Sequence, residues 1–333
     1  MKKSIRIATA LLIAGAVLGA VSAGLWRYLD TPAGPEQVER YVEIPSGTAF
    51  IEVARILERE GIIRGVRRFR WLAWLKGTEK QIKAGDYTFH PAMKPAEVLD
   101  RLVKGESQTV TVTIPEGYTM GQIAHLLQEK GLADAGSFLS LASDERFVQS
   151  LGIHGVSLEG FLFPDTYRLS KGMGEKRIMQ VFVARFQAVF KDEYRTRLVD
   201  LRVTLEELVT LASIIEKETA DPAERHLISA VLHNRLKRGM MLQSDPTVIY
   251  GMKDFRGNLT SEDLQKEHPY NTYLVKGLPP QPIANPGEAS LKAALFPSSV
   301  PYMFFVSKNN GTHHFSTTLE EHERAVNTYQ RKR

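Results

Sequence analysis

The 333-residue chain has no cysteine. That absence excludes disulfides, thiolate metal sites, cysteine nucleophiles and a lipid-modified N-terminal cysteine, so the fold stands on packing alone. Tight metal-ligand spacing is missing as well. There is no HExxH, and the adjacent pair His313-His314 would point to opposite faces of a strand. No metal and no cofactor is therefore expected, with His314 a candidate cleft residue. Nor is the composition that of a disordered chain: 43% of residues are hydrophobic, enough for a sizeable core in two or three domains. Lys and Arg number 43 against 38 Asp and Glu, a formal charge of +5 that suits an anionic polymer or a membrane surface.

One long apolar run stands at the N-terminus. Lys2, Lys3 and Arg6 precede an uncharged stretch of 19 residues, Ile7 to Leu25, closed by Trp26, Arg27 and Tyr28. At a helical rise of about 1.5 Å per residue, this run and its flanks can cross a hydrocarbon layer of ~30 Å. Basic residues ahead of the span hold the N-terminus in the cytoplasm. The expected order is a cytoplasmic tail (1–6), a transmembrane anchor (7–28) and a Pro-, Gly- and charge-rich tether (29–40). Val21-Ser22-Ala23 also fits signal-peptide cleavage, so retained anchor and cleaved signal both stay open. Either way the working part lies outside the cytoplasm, where nucleic acid and nucleotide cofactors are poor partners. The retained anchor makes a single-pass protein of the inner (plasma) membrane.

After the tether comes an internal repeat. EIPSGTAFIEVARILEREGI (Glu43 to Ile62) and TIPEGYTMGQIAHLLQEKGL (Thr113 to Leu132) align without a gap at an offset of 114 − 44 = 70. Each reads as a short strand, a Pro-Gly turn and an amphipathic helix stopped by glycine. Arg67 to Leu75 and Ser137 to Ala142 read as second helices, AGDYTF and PDTYRL as second strands, and Ala96 to Val103 and Arg177 to Phe190 as further helices. A βααβ unit of this kind over 41–108 resembles a LysM module, a family that binds N-acetylglucosamine polymers.

Beyond Leu201 the texture changes. Thr204 with Glu207 has capping-box spacing, and the helix that follows runs LEELVTLASIIEKET up to Asp221-Pro222. A second helix, from about Ala223 to Arg238, ends at Gly239. Gln243 to Gly287 then forms a long polar and aromatic stretch, of a length that usually builds a binding site. In the first helix Glu218 continues the stripe Leu208, Leu211, Ile215, while Glu216 lies on another side beside Val209 and Ala212. Periodicity alone does not choose between the acids. Two physical points favour Glu218: the apolar face desolvates it, and the C-terminal helix end opposes negative charge, so both raise its pKa towards that of a general acid. Glu216 is then a structural partner of a lysine or arginine.

The segments Ala212 to Gly251, Tyr270 to Pro297 and EGFLFPDTY (Glu159 to Tyr167) closely resemble the YceG-like endolytic murein transglycosylases, the MltG type, over essentially the whole chain. The resemblance implies an α+β architecture: a transmembrane helix, the small LysM-like domain, and a larger mixed α/β catalytic domain (109–333) with a lysozyme-like catalytic helix. It implies a lyase that cuts the MurNAc-GlcNAc β-1,4 bond within nascent peptidoglycan strands, leaves 1,6-anhydroMurNAc ends and terminates glycan elongation. The catalytic acid is then the second Glu of EKET, Glu218. Gln243, Ser244, Asp245 and Thr247, with Tyr270, Asn271, Thr272 and Tyr273, lie in two loops that flank it and would bind substrate. Glu159 and Asp165 are read as packing and capping residues. The implied partners are peptidoglycan glycan strands and peptidoglycan synthases. A muramidase would instead need a second carboxylate at hydrolase spacing, with Asp245 the residue to watch. A non-catalytic wall-binding scaffold is the other alternative.

Overall fold

The 70-residue repeat in the sequence is a repeat in the structure. In the computed structural model, strand β1 (Arg40–Ile44) is followed by helices α1 (Phe50–Arg59) and α2 (Val66–Leu75) and by strand β2 (Gly85–Phe89). After α3 (Pro95–Lys104), the second copy runs β3 (Thr109–Thr113), α4 (Met120–Glu129), α5 (Ala135–Ala142), α6 (Glu145–Ser150) and β4 (Thr166–Ser170). Helices α1 and α4 stop in the same way. Gly61 (φ 68°) and Gly131 (φ 64°) turn left-handed, and the next amide closes back on the helix, Ile62 N to Leu57 O at 2.8 Å and Leu132 N to Leu127 O at 2.9 Å. The second copy departs from the expected βααβ pattern by one extra helix, α6. Asp144 caps that helix, accepting from Phe147 N at 2.7 Å.

The structure describes residues 31–330 except 46, 106–108, 220, 253, 254 and 256, together with Ala16, Gly19, Gly24, Arg27 and Tyr28. The expected anchor therefore lies almost wholly outside the described residues. Among those residues no helix is long and apolar enough to cross a membrane. The chain divides into two compact units, Met1–Thr111 with Arg168–Gly174, and Val112–Tyr167 with Glu175–Arg333. Strands β3 and β4 pair with each other.

In the first unit β1 and β2 pair antiparallel, Arg40 opposite Phe89 and Ile44 opposite Gly85. Val53, Ala54 and Leu57 of α1, Phe69 and Leu72 of α2, and Leu99 and Leu102 of α3 fill a core with Val42, Tyr87 and Phe89, and Tyr28 joins it. Their i, i+3, i+4 spacing gives each helix one buried face.

The second unit is built around α9 (Leu205–Glu218). Thr204 and Glu207 close the capping box: Glu207 N donates to Thr204 Oγ1 at 3.1 Å and Thr204 N to Glu207 Oε2 at 2.8 Å. From Leu208 to Ile215 every residue is buried, so this helix has no solvent-facing side over its middle turns, and only at Lys217 in the last turn does it reach solvent fully. It is covered by α10 (Arg225–Lys237), α11 (Asp245–Gly251) and α12 (Glu288–Leu295). Each buried Leu, Ile or Val there contributes roughly 1.5–3 kcal/mol. Its polar members are satisfied internally: Ser213 Oγ donates to Thr210 O at 2.7 Å and accepts from Ile283 N at 3.0 Å. A file of rings, Phe161, Phe186, Phe190, Tyr194 and Phe296, with successive centroids 5.2 to 6.4 Å apart, ties α7 (Glu175–Val189) and α8 (Asp192–Leu201) to the end of α12. An antiparallel hairpin, β5 (Phe304–Ser307) and β6 (His313–Ser316), packs with α13 (Leu319–Tyr329). Helices with small, separate two-stranded sheets make an α+β fold.

Two glycines separate backbone strain from steric fit. Both Gly131 and Gly160 have positive φ, but a Cβ at Gly131 meets nothing within 4 Å, whereas one at Gly160 falls 2.6 Å from Pro282 and 2.7 Å from Val209 of α9. Gly131→Ala should cost about 1–2 kcal/mol, the left-handed penalty alone. Gly160→Ala should add roughly 1–3 kcal/mol of overpacking. Urea denaturation of both variants checks the order; equal losses would contradict it.

Candidate active site

Helix α9 ends where its buried face does. Thr219 leaves the helix in an extended conformation, Asp221 N donates to Thr219 Oγ1 at 3.0 Å, and Asp221 Oδ1 accepts from Ala223 N at 2.9 Å, turning the chain towards α10. The last helical residue, Glu218, is thereby placed at the edge of a cavity of about 400 Å³. Arg235, Gln243, Asp245 and Tyr273 border it on one side, Phe305, Val306, Ser307 and His313 of the hairpin region on another, and His322 of α13 beside them. A larger concavity, about 770 Å³, lies in the first unit around Tyr28 and Arg68 and holds no comparable set of acids.

The Glu218 carboxyl keeps some surface towards the cavity, yet the protein around it is as dense as an interior. Burial pushes its pKa up to about 7. The negative charge of Asp245 pushes the same way, while the hydrogen bond from Ser244 Oγ and the Arg235 guanidinium favour the carboxylate. Near neutral pH this carboxyl can both give and take a proton.

The surrounding residues divide into those that face the cavity and those that hold it. Asp245 opens α11 and accepts from Tyr273 OH at 2.6 Å; both border the cavity. Gln243 also borders it, with a left-handed backbone (φ 50°) rare for a residue with a side chain, its amide donating to Thr272 O at 3.0 Å. Ser244 is buried but reaches Glu218. Thr247 and Thr272, expected from sequence to touch substrate, are instead buried beneath the site: Ser244 N donates to Thr272 Oγ1 at 3.0 Å, Thr247 Oγ1 donates to Ser244 O at 2.6 Å, and the two threonine hydroxyls are 2.8 Å apart. Asn271 is buried too, bracing its loop by donating to Leu264 O and Lys266 O at 3.0 and 2.8 Å. Tyr270 does not border this cavity; its ring packs 5.0 Å from that of Tyr250. The stretch expected as loop contains a helix, α11, because Pro246 near its start presets a helical φ and Thr247 and Val248 have a core to enter.

Several cavity residues carry no local signal in the sequence. Arg235 is buried on α10, donating through Nε to Met303 O at 2.7 Å and through Nη1 to Leu242 O at 2.7 Å. His313 lies in the cavity wall in place of His314, the cleft candidate from sequence, whose ring packs against Tyr329 instead. The Glu224 carboxylate accepts from His313 N at 2.8 Å and lies 2.7 Å from its Nδ1, pinning β6 to the start of α10. Glu216 does not border the cavity. It pairs with Arg225 at 3.3 Å and accepts from Gly287 N at 2.9 Å.

Glu159 is a second buried acid with its pKa pushed up to about 7, again by burial. It accepts from Met120 N at 2.9 Å, from Asn285 Nδ2 at 3.0 Å and from Tyr250 OH at 3.1 Å, which caps α4 and ties it to α11. Asp165 pairs with Arg185 at 2.6 Å. Among the described residues, no group of three or more His, Cys, Asp or Glu could hold a metal ion.

The family whose description is YceG-like matches residues 42–328 of the chain. The chain belongs to the YceG-like family. A protein of Bacillus subtilis (strain 168) named endolytic murein transglycosylase is 31% identical over 304 residues, 86% of this chain and 84% of the relative. One of the same name from Streptococcus pneumoniae (serotype 2, strain D39) is 29% identical over 317 residues, and this chain spans 57% of its length. The crystal structure of a YceG-like protein from Listeria monocytogenes superposes with a TM-score of 0.59 at 31% identity, over 87% of this chain and 99% of that one.

The raised pKa of Glu218 fixes the sign of a pH effect. Below about 4.5 both folded and unfolded chains hold this proton; between about 4.5 and 7 only the folded chain does, so stability falls as pH rises through that window and then levels off. Glu218→Gln removes the cost. The variant should match wild type at pH 4 and exceed it at pH 8 by on the order of 2 kcal/mol, read from urea midpoints. A difference independent of pH would refute the assignment.

Proposed function

We propose that this protein is an endolytic murein transglycosylase with Glu218 as its catalytic acid. The observation that carries the reading is a buried carboxyl with a pKa of about 7 at the end of α9, facing a polar cavity. The names of the similar Bacillus and Streptococcus proteins give the same activity. In the proposed reaction Glu218 protonates the glycosidic oxygen between MurNAc and GlcNAc. As carboxylate it then takes the proton from the muramyl C6 hydroxyl, which attacks C1 and closes a 1,6-anhydro ring. The nucleophile belongs to the substrate, so one protein acid suffices. Ser244 and Arg235 stabilise the carboxylate formed between the two steps, and Gln243, Asp245 and Tyr273 offer hydrogen bonds to the distorted sugar.

The remaining parts of the reading concern placement. We assign the first unit a LysM-like role in holding glycan, supported by its βααβ order with β1 and β2 antiparallel. The run from Ile7 to Leu25 is assigned as a retained anchor in the inner (plasma) membrane, with the catalytic unit on the outer side. There the enzyme would meet nascent strands near peptidoglycan synthases and end their elongation.

A muramidase reading has one observation in its favour, the presence of Asp245 as a second carboxylate on the same cavity. Products decide between them. Digested peptidoglycan should carry 1,6-anhydroMurNAc ends by mass spectrometry, and Glu218→Gln should lose roughly two to four orders of magnitude in rate. Asp245→Asn should weaken substrate binding while the anhydro ends persist. Ordinary reducing ends that vanish in Asp245→Asn would establish the hydrolase instead.

A further inference from the structure

Helix α2 has an exposed face that its own unit does not use. Phe69, Leu72 and Ala73 enter the core, while Trp71, Trp74 and Leu75 stand 48%, 64% and 54% exposed. The two indoles stack with centroids 6.5 Å apart. Arg67, Trp71 and Trp74 follow i, i+4, i+7 spacing, with Arg68 and Leu75 alongside, so basic and apolar groups share one side of the helix. Arg64, Arg67, Arg68 and Arg70 are all exposed. Arg70 pairs with Glu79 at 3.1 Å; among the described residues no carboxylate pairs with Arg64, Arg67 or Arg68.

We infer that this face of α2 docks on the surface of an anionic phospholipid bilayer. Tryptophan prefers the depth where headgroups meet acyl chains, and arginine the layer of lipid phosphates just above it. The position of the face matches its chemistry. Tyr28, three residues past the end of the Ile7 to Leu25 run, is buried in this unit's core, and the Arg68 guanidinium lies 6.0 Å from its ring centroid. A concavity of about 770 Å³ lined by Arg27, Arg64, Arg67, Arg68 and Trp71 opens beside it, suited to lipid phosphates. The chain therefore leaves its apolar run directly against α2. This inference rests on the anchor reading, and it adds that the first unit lies down on the lipid surface rather than swinging free on a tether.

The full chain has three tryptophans, Trp26, Trp71 and Trp74. Trp26→Phe leaves an emission signal from α2 alone. In vesicles of phosphatidylcholine with phosphatidylglycerol, that variant should emit at shorter wavelength than in detergent and be quenched by lipids brominated high on the acyl chain. The quenching should fall in pure phosphatidylcholine and in high salt. Adding Arg64→Glu and Arg67→Glu should abolish it while the protein still floats with the vesicles. Flotation without quenching would overturn the docking and leave the anchor intact. Failure to float would overturn both. A shift in emission caused by chitotetraose and not by lipid would assign the face to sugar binding and overturn the proposal.

Discussion

A carboxyl group at the end of a helix whose middle turns are buried all round is the constraint on which the second unit depends. Helix α9 is covered all round from Leu208 to Ile215, so the helix cannot shift or roll without exposing core. Glu218 inherits that rigidity. The same burial that fixes its position withholds water from its charge, and this moves its pKa to where proton donation and uptake are both accessible. Placement and acidity have a single physical origin.

The rest of the site follows from holding three other segments against that end. Thr247 and Thr272, buried and bonded to each other, fix Ser244 against Glu218 and set Asp245 and Gln243 at the cavity edge. Arg235 clamps the chain at Leu242 and Met303, and so orders both walls from one guanidinium. Glu224 fastens His313, and with it the hairpin, to the start of α10. The groups that border the cavity are few, and a buried layer of hydroxyls and charge-assisted bonds positions them.

Glu159 shows why a raised pKa does not by itself mark a catalytic acid. It is more deeply buried than Glu218, yet its pKa is displaced by a similar amount. Its oxygens are occupied by donors from Met120, Asn285 and Tyr250, and it does not border the cavity at Glu218. Glu218 has a side-chain partner in Ser244 and free space in front of it. Spare bonding capacity facing a cavity is what distinguishes the surroundings of Glu218 from those of Glu159.

Local chemistry was legible from the chain alone. Glycine at 61 and 131, the capping box at Thr204, and apolar spacing in α1, α4 and α9 each act within a turn or two, so the repeat and the α9 boundaries could be read directly, whereas the α+β class came from the family resemblance. The standing of Glu218 above Glu216 could be argued the same way, from one helical stripe and one helix end. The extra helix α6, the helix α11 inside an expected loop, and the sorting of Thr247, Asn271 and Thr272 into a buried layer could not. Nor could the choice of His313 over His314, or the entry of Arg235. The burial of Thr247 and Thr272, the entry of Arg235 and the choice of His313 depend on partners 25 to 89 positions away, such as Thr272 for Thr247, Met303 for Arg235 and Glu224 for His313. The sequence by itself determined which helix would end in an acid, because turn chemistry and periodicity are short-range. Only the tertiary structure decided which side chains meet that acid, because burial and cavity walls come from segments that pack together regardless of their distance along the chain.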